Sequence, residues 1–422
     1  MITAILPGTN VEVVAGERAA AASVTGVVTI PLMLSWGDIL TKIYKGDDAL
    51  TKLGYKLSDV KMKLVNEVMN YADELLLYRL NTGEKATGTL AAGITVTAKY
   101  GGIRGNDLKV TVTASDTNWI IKTFLDTAEI DSQIVADESN FVANDFITII
   151  GSGTLASATV ILTGGADGTE DAGAIDAYLT EIEKHDYNVL AYTGTDSAEI
   201  AKIITFTNEQ VANDKDACAV VSGTSANNKF IYNSTIGGVN AAYSLSAPEA
   251  AATMAGIIAK QGIAGSCTYF DVIGWTDVAT RLTKAQQEAR TQVGEMLFVY
   301  KYGGVKVLYD INSLTTYTTE NPEDFHKGLV IRTLTRYASE LQKLLDTKAI
   351  GKIRRTVSGK NQIKGMIADM TTVNYLNKKY IDGFTADDIT IVDGASRDAI
   401  IVTVGILVAD TVDKINVTVK AL

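Results

Sequence analysis

Ser225, His185 and the carboxylates near them are the residues of this chain whose types could do covalent chemistry. Ser225 lies in Gly223-Thr224-Ser225-Ala226, one residue after the apolar run Cys218-Ala219-Val220-Val221. A serine in a turn that follows a strand can be a nucleophile when an imidazole takes its proton and a carboxylate orients that imidazole. His185, with Asp167 or Asp186, could supply both groups. His185, however, sits in Glu183-Lys184-His185-Asp186-Tyr187, without a glycine-rich setting to fix the ring beside a hydroxyl. Its place near an expected helix C-terminus accounts for a cationic side chain without any catalysis.

Other chemistries are sought and not found. The two histidines, His185 and His326, are far apart, and Cys218 and Cys267 form no Cys-x-x-Cys. Neither a zinc site nor a disulfide framework follows from such spacing, and a reducing compartment suits the chain. Gly164-Gly165-Ala166-Asp167-Gly168 lacks the Gly-Lys-Ser/Thr ending that places a cation on phosphates, and reads as a flexible linker. No catalytic, metal-binding or cofactor-binding residue is therefore assigned. One charge asymmetry stands out: Lys343, Lys348, Lys352, Arg354, Arg355, Lys360 and Lys364 are opposed only by Asp346. In a chain of net charge −11 this basic stretch suggests an acidic partner surface, although a solvated helix end and turn would look the same. The overall charge argues against a general nucleic-acid or anionic-membrane binder, and no aromatics interleave the basic residues.

The elements that would position these groups can be read from periodicity. A length of 422 residues suggests about three domains. Val24 to Leu34 reads as a buried strand ending near Trp36-Gly37-Asp38. Ser58 is the expected cap of a helix with Leu64, Val65, Val68, Met69 and Ala72 on its apolar side. From Ile94 to Leu162 short alternating runs, such as Leu108-Lys109-Val110-Thr111-Val112-Thr113, are separated by Gly and Asn turns and predict a small β-sandwich. Between 169 and about 315, helices through Ile175 and Ile200 alternate with strands at Asn188–Ala191 and Cys218–Val221, the pattern of an α/β layer with parallel pairing. Thr283 and Gln286 predict a capping box. Asn321 and Pro322 predict the start of a long helix through Leu329, Leu334, Tyr337, Leu341 and Leu345, stopped at Gly351. Ala399–Ala409 is too short for the ~20 residues of a spanning helix, and Ala19–Gly37 is interrupted by Gly26, Pro31 and hydroxyl side chains. Met1-Ile2-Thr3-Ala4 carries no basic region, so no secretory signal is expected.

Both ends alternate with period two. Val11 and Val13 do so in Asn10-Val11-Glu12-Val13, and Ile415, Val417 and Val419 do so in Ile415-Asn416-Val417-Thr418-Val419-Lys420. Short strands without a neighbour in sequence can complete their hydrogen bonds by joining the sheet of another copy.

The collinear order of several motifs resembles the sheath proteins of contractile phage tails and of phage-tail-like bacteriocins. The resemblance is carried by Leu6-Pro7-Gly8-Thr9-Asn10-Val11, Thr25-Gly26-Val27-Val28-Thr29-Ile30-Pro31, Tyr100-Gly101-Gly102-Ile103-Arg104-Gly105-Asn106 and Leu162-Thr163-Gly164-Gly165-Ala166-Asp167-Gly168. Asp310-Ile311-Asn312-Ser313-Leu314-Thr315, Val330-Ile331-Arg332-Thr333-Leu334 and Asp413-Lys414-Ile415-Asn416-Val417-Thr418-Val419 continue it. Arg354-Arg355 and Ser358-Gly359-Lys360 depart from the family's habit. The resemblance implies an α/β and α+β multidomain chain. Its parts would be an N-terminal arm (1–24), the first part of the core (25–92), a β-sandwich insertion (93–163), a subtilisin-like α/β domain without protease activity (164–316), a C-terminal α+β domain (317–397) and arm strands (398–422).

It also implies a subunit that polymerises in stacked hexameric rings around an inner tail tube and contracts without nucleotide hydrolysis. Other sheath subunits, the tube protein, and baseplate and tail terminator proteins would be the partners, with no nucleic acid and no direct membrane insertion. The particle would be a virion tail or a tailocin, assembled in the bacterial host cytoplasm. Val11, Val13, Ile415, Val417 and Val419 are then the arm strands that hook neighbouring subunits, with hinges at Val14–Ser23 and Asp398–Asp413. Lys348, Lys352, Arg354, Arg355 and Lys360 become the expected tube-facing patch. The competing readings are a serine hydrolase of subtilisin-like fold, resting on Ser225 and His185, and a surface-layer or adhesion module, resting on the Thr-rich β segment.

Overall fold

The computed structural model describes residues 26–420. Its centre is a seven-stranded sheet with helices on both faces. The chain enters through β1 (Val27–Leu32), buried along its whole length. Strand β3 (Glu74–Arg79) lies parallel to β1, with Val28 opposite Leu75 and Ile30 opposite Leu77, and β2 (Leu40–Tyr44) closes that edge antiparallel to β3. Alternate residues of β1 and β3 point into separate apolar layers. Val28, Ile30, Leu75 and Leu77 face one side, and Val27, Leu76 and Tyr78 face the other. Between β2 and β3 come the one-turn helix α1 (Leu50–Leu53) and α2 (Lys63–Met69). The cap ahead of α2 is Asp59 rather than Ser58: its carboxylate accepts the Lys61 amide and opens a 3-10 turn, Val60–Met62. An ionised acceptor is the stronger partner at the positive end of a helix.

The insertion that follows is the expected sandwich. Strands β4 (Lys85–Ala91), β5 (Ile94–Gly101) and β9 (Ile147–Gly151) form one sheet; β6 (Leu108–Ser115), β7 (Asn118–Leu125), β8 (Ala128–Val135) and β10 (Ala158–Ile161) form the other, in the order β10-β6-β7-β8. Ile94, Val96, Val110, Val112, Ile121 and Ile147 fill the space between them. The sandwich begins ahead of residue 93, because β4 pairs with β5. Only Ala86 and Leu90 of β4 are buried, too sparse a pattern to announce a strand.

The central sheet then resumes with α3 (Ala174–Ile182), β11 (Val189–Ala191), α4 (Ser197–Ala212), β12 (Cys218–Val221) and β13 (Ile231–Ser234), the strands running parallel outward from β1. Helices α3 and α4 cover one face through Tyr178, Ile182, Ile203 and Phe206. The other face is covered by α2 and by α5 (Ala250–Gln261), whose residues from Ala250 to Ala259 are all buried. A helix apolar on every side belongs in an interior, and this one lies close to α2: a Cβ on Gly256 would meet the Val68 carbonyl oxygen at 3.0 Å. A small sheet of β14 (Gly238–Asn240), β15 (Ser244–Leu245) and β16 (Trp275–Val278) follows, then α6 (Lys284–Gln292), opened by the expected capping box of Thr283 and Gln286. Strand β17 (Glu295–Met296) completes the central sheet, and β18 (Phe298–Lys301) and β19 (Gly304–Val307) make a hairpin.

The long helix, α7 (Gly328–Lys348), begins later than Asn321. Glu323–His326 is a 3-10 turn, and Lys327 is extended and bridges Ile311, so helical backbone starts only at Gly328. Gly328 is required there, since a Cβ would fall 2.1 Å from an Asp310 carboxylate oxygen. Helix α8 (Val357–Thr371) packs on α7, and Tyr337, Ile363, Ile367, Tyr375 and Ile389 form the core of this last domain. Two short ladders finish it. β21 (Ile389–Asp393) pairs with β22 (Ile400–Val404), and β20 (Ile381–Asp382) pairs with β23 (Leu407–Val408). Residues 400–408, expected to belong to the C-terminal arm and its hinge, are thus held in the domain by partners in the same chain.

Candidate assembly surfaces

The structure does not bring Ser225 and His185 together. Ser225 follows the C-terminal end of β12, whereas His185 precedes the N-terminal end of β11, and these strands are parallel neighbours. The two residues therefore lie beyond opposite ends of the strands. His185 faces Glu181 at 3.5 Å, and Asp167 is engaged by Ser35 and by the Ile103 amide.

Asp167 belongs to a junction that the sequence reading misjudged. The Gly164–Gly168 stretch, expected to be a flexible linker, is one of two crossings between sandwich and central layer, and it is bonded to the other. Asn106 donates to the Gly165 carbonyl and accepts from the Gly165 amide, both at 2.8 Å. Asn81 donates to the Asp167 carbonyl at 2.7 Å. Two glycines at this junction serve close approach: a Cβ on Gly102 would lie 2.0 Å from the Ser35 carbonyl oxygen and one on Gly165 2.5 Å from the Gly102 carbonyl oxygen, whereas Gly164 and Gly168 supply positive φ. Arg104, buried in the same turn, reaches Asp126, Asp107 and the Gly54 carbonyl and lies 4.4 Å from the Tyr55 ring centre. Two of the glycine-rich motifs are therefore a single welded joint.

A second charged contact joins α7 to the central layer. Arg332 makes a two-pronged pair with Asp310, at 3.0 and 2.8 Å, and also donates to Tyr232 and to the Gly262 and Gly265 carbonyls. The Cys267 amide donates to the same carboxylate. Burial alone would raise the Asp310 carboxyl, but the Arg332 charge and hydrogen bonds outweigh it and hold the group below the usual carboxylate range. Both motifs are visible in the sequence, but nothing local to either shows that they meet. The signal was a lone charge inside each otherwise uncharged run. A third buried group is Glu67, which accepts from Thr253 at 2.7 Å, Tyr243 at 2.8 Å and the Trp275 indole. Burial raises its carboxyl above the ordinary value despite these donors.

The basic stretch divides into parts with different surroundings. Arg355 and Lys360 both bind Asp393, at 3.0 and 3.2 Å, and Arg355 also donates to the Ser396 carbonyl. Hydrogen bonds from Arg355 and then Lys360 hold the Asp393 carboxyl below its ordinary range. Lys352 donates to the Thr347 carbonyl, and Arg354 is exposed. Lys348 lines a cleft of about 720 Å³ between α7, α8 and the central layer, together with Lys343, Glu340 and Asp369. Gly359 closes the turn between α7 and α8, where a Cβ would lie 2.0 Å from the Arg354 carbonyl oxygen.

Val11 and Val13 lie outside the described residues. At the other end, residues 410–420 lie outside every helix and sheet, and Ile415, Val417 and Val419 are 75%, 77% and 89% exposed. Among the described residues β22 is paired on one side only, to β21. No helix among the described residues is long and apolar enough to cross a membrane.

Comparison with known proteins completes this picture. Residues 25–80 match the tail sheath protein Gp18 domain III N-terminal region, residues 81–167 the phage tail sheath protein beta-sandwich domain, and residues 168–313 the phage tail sheath protein central domain. The crystal structure of a sheath tail protein from Desulfitobacterium hafniense is 31% identical, with a TM-score of 0.86, over 96% of this chain and 98% of that one. The phage-like element PBSX protein XkdK of Bacillus subtilis is 28% identical over 96% of this chain and 94% of its own length. The contracted helical sheath of the anti-feeding prophage, at 13% identity and a TM-score of 0.60 over 99% of both chains, shares the fold.

Proposed function

This chain belongs to the phage tail sheath protein family, and from that premise we propose that it is the polymerising subunit of a contractile sleeve around an inner tail tube. The observation that carries the proposal is residues 415–419. They alternate apolar and polar side chains, expose the apolar ones, and follow a domain whose β21–β22 ladder has an open edge. Strand addition between copies would satisfy both the segment and the edge. A head-to-tail contact of this kind that does not close on itself generates a helical assembly.

In this reading the subunits move as near-rigid bodies while the arms stay hooked, and contraction is the passage from a metastable lattice to a more stable one without nucleotide hydrolysis. The welded joint at Asn106–Gly165 and the Arg332–Asp310 pair support rigid bodies. The parallel sheet covered by helices on both faces is compatible with a subtilisin-like layer, and the opposite placement of Ser225 and His185 supports a purely structural role. The sandwich would face outward. The tube, baseplate and terminator proteins would be the further partners, and assembly would take place in the host cytoplasm before release of a phage or a bacteriocin particle. Arg354, with Lys348, Lys352, Arg355 and Lys360, is proposed to face the tube. Exposed charges suit that role because they part without uncovering apolar surface.

Negative-stain microscopy of the purified chain, alone and with its tube protein, tests the proposal. Hollow striated cylinders are expected. Dispersed particles under both conditions would refute it.

A further inference from the structure

We infer that Lys327 is the positioning residue of the C-terminal arm, gripping residues 410–413 so that the arm leaves the subunit from a fixed point and only the residues beyond Asp413 remain free to pair. Lys327 is the extended residue between the 3-10 turn and α7, and its backbone bridges Ile311. Its ammonium lies 3.3 Å from the Asp410 carboxylate, donates a hydrogen bond to the Asp413 carboxylate, and sits 4.7 Å from the Tyr309 ring centre. The side chains of Lys327 and Asp413 are only 12% and 9% exposed, so this contact is shielded from salt in a way that surface pairs are not.

The gripped segment is also closed on itself. The Thr411 amide donates to Asp410 at 2.8 Å, and the Thr411 hydroxyl donates to Asp413 at 3.1 Å. Sheet pairing has already ended by then: β23 stops at Val408, and the last backbone bond runs from the Ala409 amide to the Tyr380 carbonyl. Among the described residues, Lys327 supplies the hydrogen bond and the ion pairs that tie residues 410–413 to the body. With it, chain that would otherwise have to be ordered on capture by a neighbour is ordered beforehand, which lowers the entropic cost of pairing. The expected hinge at 398–413 thus moves to the bond after Asp413. The remaining residues of the sequence, 414–422, can reach about 30 Å at ~3.3 Å each when extended. The inference rests on the reading that these residues pair with another copy.

Trypsin tests the grip directly on the intact chain, because Lys414 follows the gripped segment immediately and Lys420 lies well beyond it. A protease must draw out the residues on both sides of the bond it cuts. In the native chain, cleavage after Lys414 should be at least about tenfold slower than after Lys420, followed by intact mass. Lys327→Met should raise the Lys414 rate about tenfold and leave the Lys420 rate unchanged. Should that variant fail to fold by near-ultraviolet circular dichroism, the double change Asp410→Asn with Asp413→Asn removes the same grip from the other side. Equal rates at the two lysines in the native chain, or a Lys414 rate unmoved in the folded variants, would overturn the inference. Sleeve formation by a chain ending at Asp413 would overturn the strand-pairing reading instead, with the cleavage ratio intact.

Discussion

Strand β6 opens Leu-Lys-Val-Thr-Val-Thr, and residues 415–420 read Ile-Asn-Val-Thr-Val-Lys. In β6, Val110 and Val112 are buried, and the strand is hydrogen-bonded on one side to β7 and on the other to β10. In the second stretch Ile415, Val417 and Val419 face solvent and join no sheet among the described residues. The pattern is the same and the outcome is opposite. Alternation states that a segment can be one face of a sheet; it does not state whose sheet. In the sandwich both partners belong to the same chain, β7 one turn away and β10 beyond β7, β8 and β9, while at the C-terminus they are proposed to come from another subunit.

The comparison is broken most strongly by placing a charge in each stretch. Val110→Asp puts an unpaired carboxylate between two sheets and should cost more than about 4 kcal/mol, enough to unfold the sandwich in a urea titration. Val417→Asp should change the stability of the monomer by less than about 0.5 kcal/mol, yet abolish sleeves in sedimentation. A large loss of monomer stability in the second variant would show that the segment already packs on its own subunit.

Charged pairs sharpen the same contrast between interior and surface. Arg332→Met leaves Asp310 buried without its partner and should cost about 3–5 kcal/mol by chemical denaturation. Reversing Arg355 and Lys360 to glutamate breaks the pairs with the half-exposed Asp393 and the Arg355 bond to the Ser396 carbonyl, and should cost less than about 1 kcal/mol. If these side chains face the tube, that double change should still weaken co-sedimentation with tubes, whereas unaltered binding would place the tube contact elsewhere.

A subtler effect concerns Glu67. Its folded-state affinity for a proton is raised by burial, so the contribution of this group to stability is fully present below the ordinary glutamate range. It is lost as pH rises through the raised folded value. Glu67→Gln should flatten that part of the stability–pH profile, and an unchanged slope in pH-resolved melting would show that the three donors compensate the charge fully.

Much of this architecture was legible from residue periodicity. The central strand around Ile30, the alternating strands of the sandwich, the α/β alternation and the Thr283–Gln286 capping box lie where the patterns placed them, because each is decided by local burial or a local hydrogen bond. Features decided by distant partners were not. Gly164–Gly168 has a linker's composition, but Asn106 and Asn81 hold it, and no local rule counts hydrogen bonds that arrive from far along the chain. Asn321-Pro322 is a good helix start on paper; the Ile311 bridge and the Asp310 carboxylate beside Gly328 delay the helix. The all-buried α5 escaped notice because a helix apolar on every side has no amphipathic period to detect. At the candidate assembly surfaces, the exposed alternation of 415–419 could be read directly. The Lys327 grip could not, since Lys327 and Asp413 are brought together only by the fold.

The central claim is that residues beyond Asp413 tie one subunit to the next. It is tested most directly by comparing the full chain with one that ends at Asp413, using the same tube protein and the same salt, by sedimentation and negative-stain microscopy. The account predicts that the shortened chain melts at the same temperature as the full chain but stays monomeric, while the full chain forms sleeves. Sleeves of normal length from the shortened chain would contradict it.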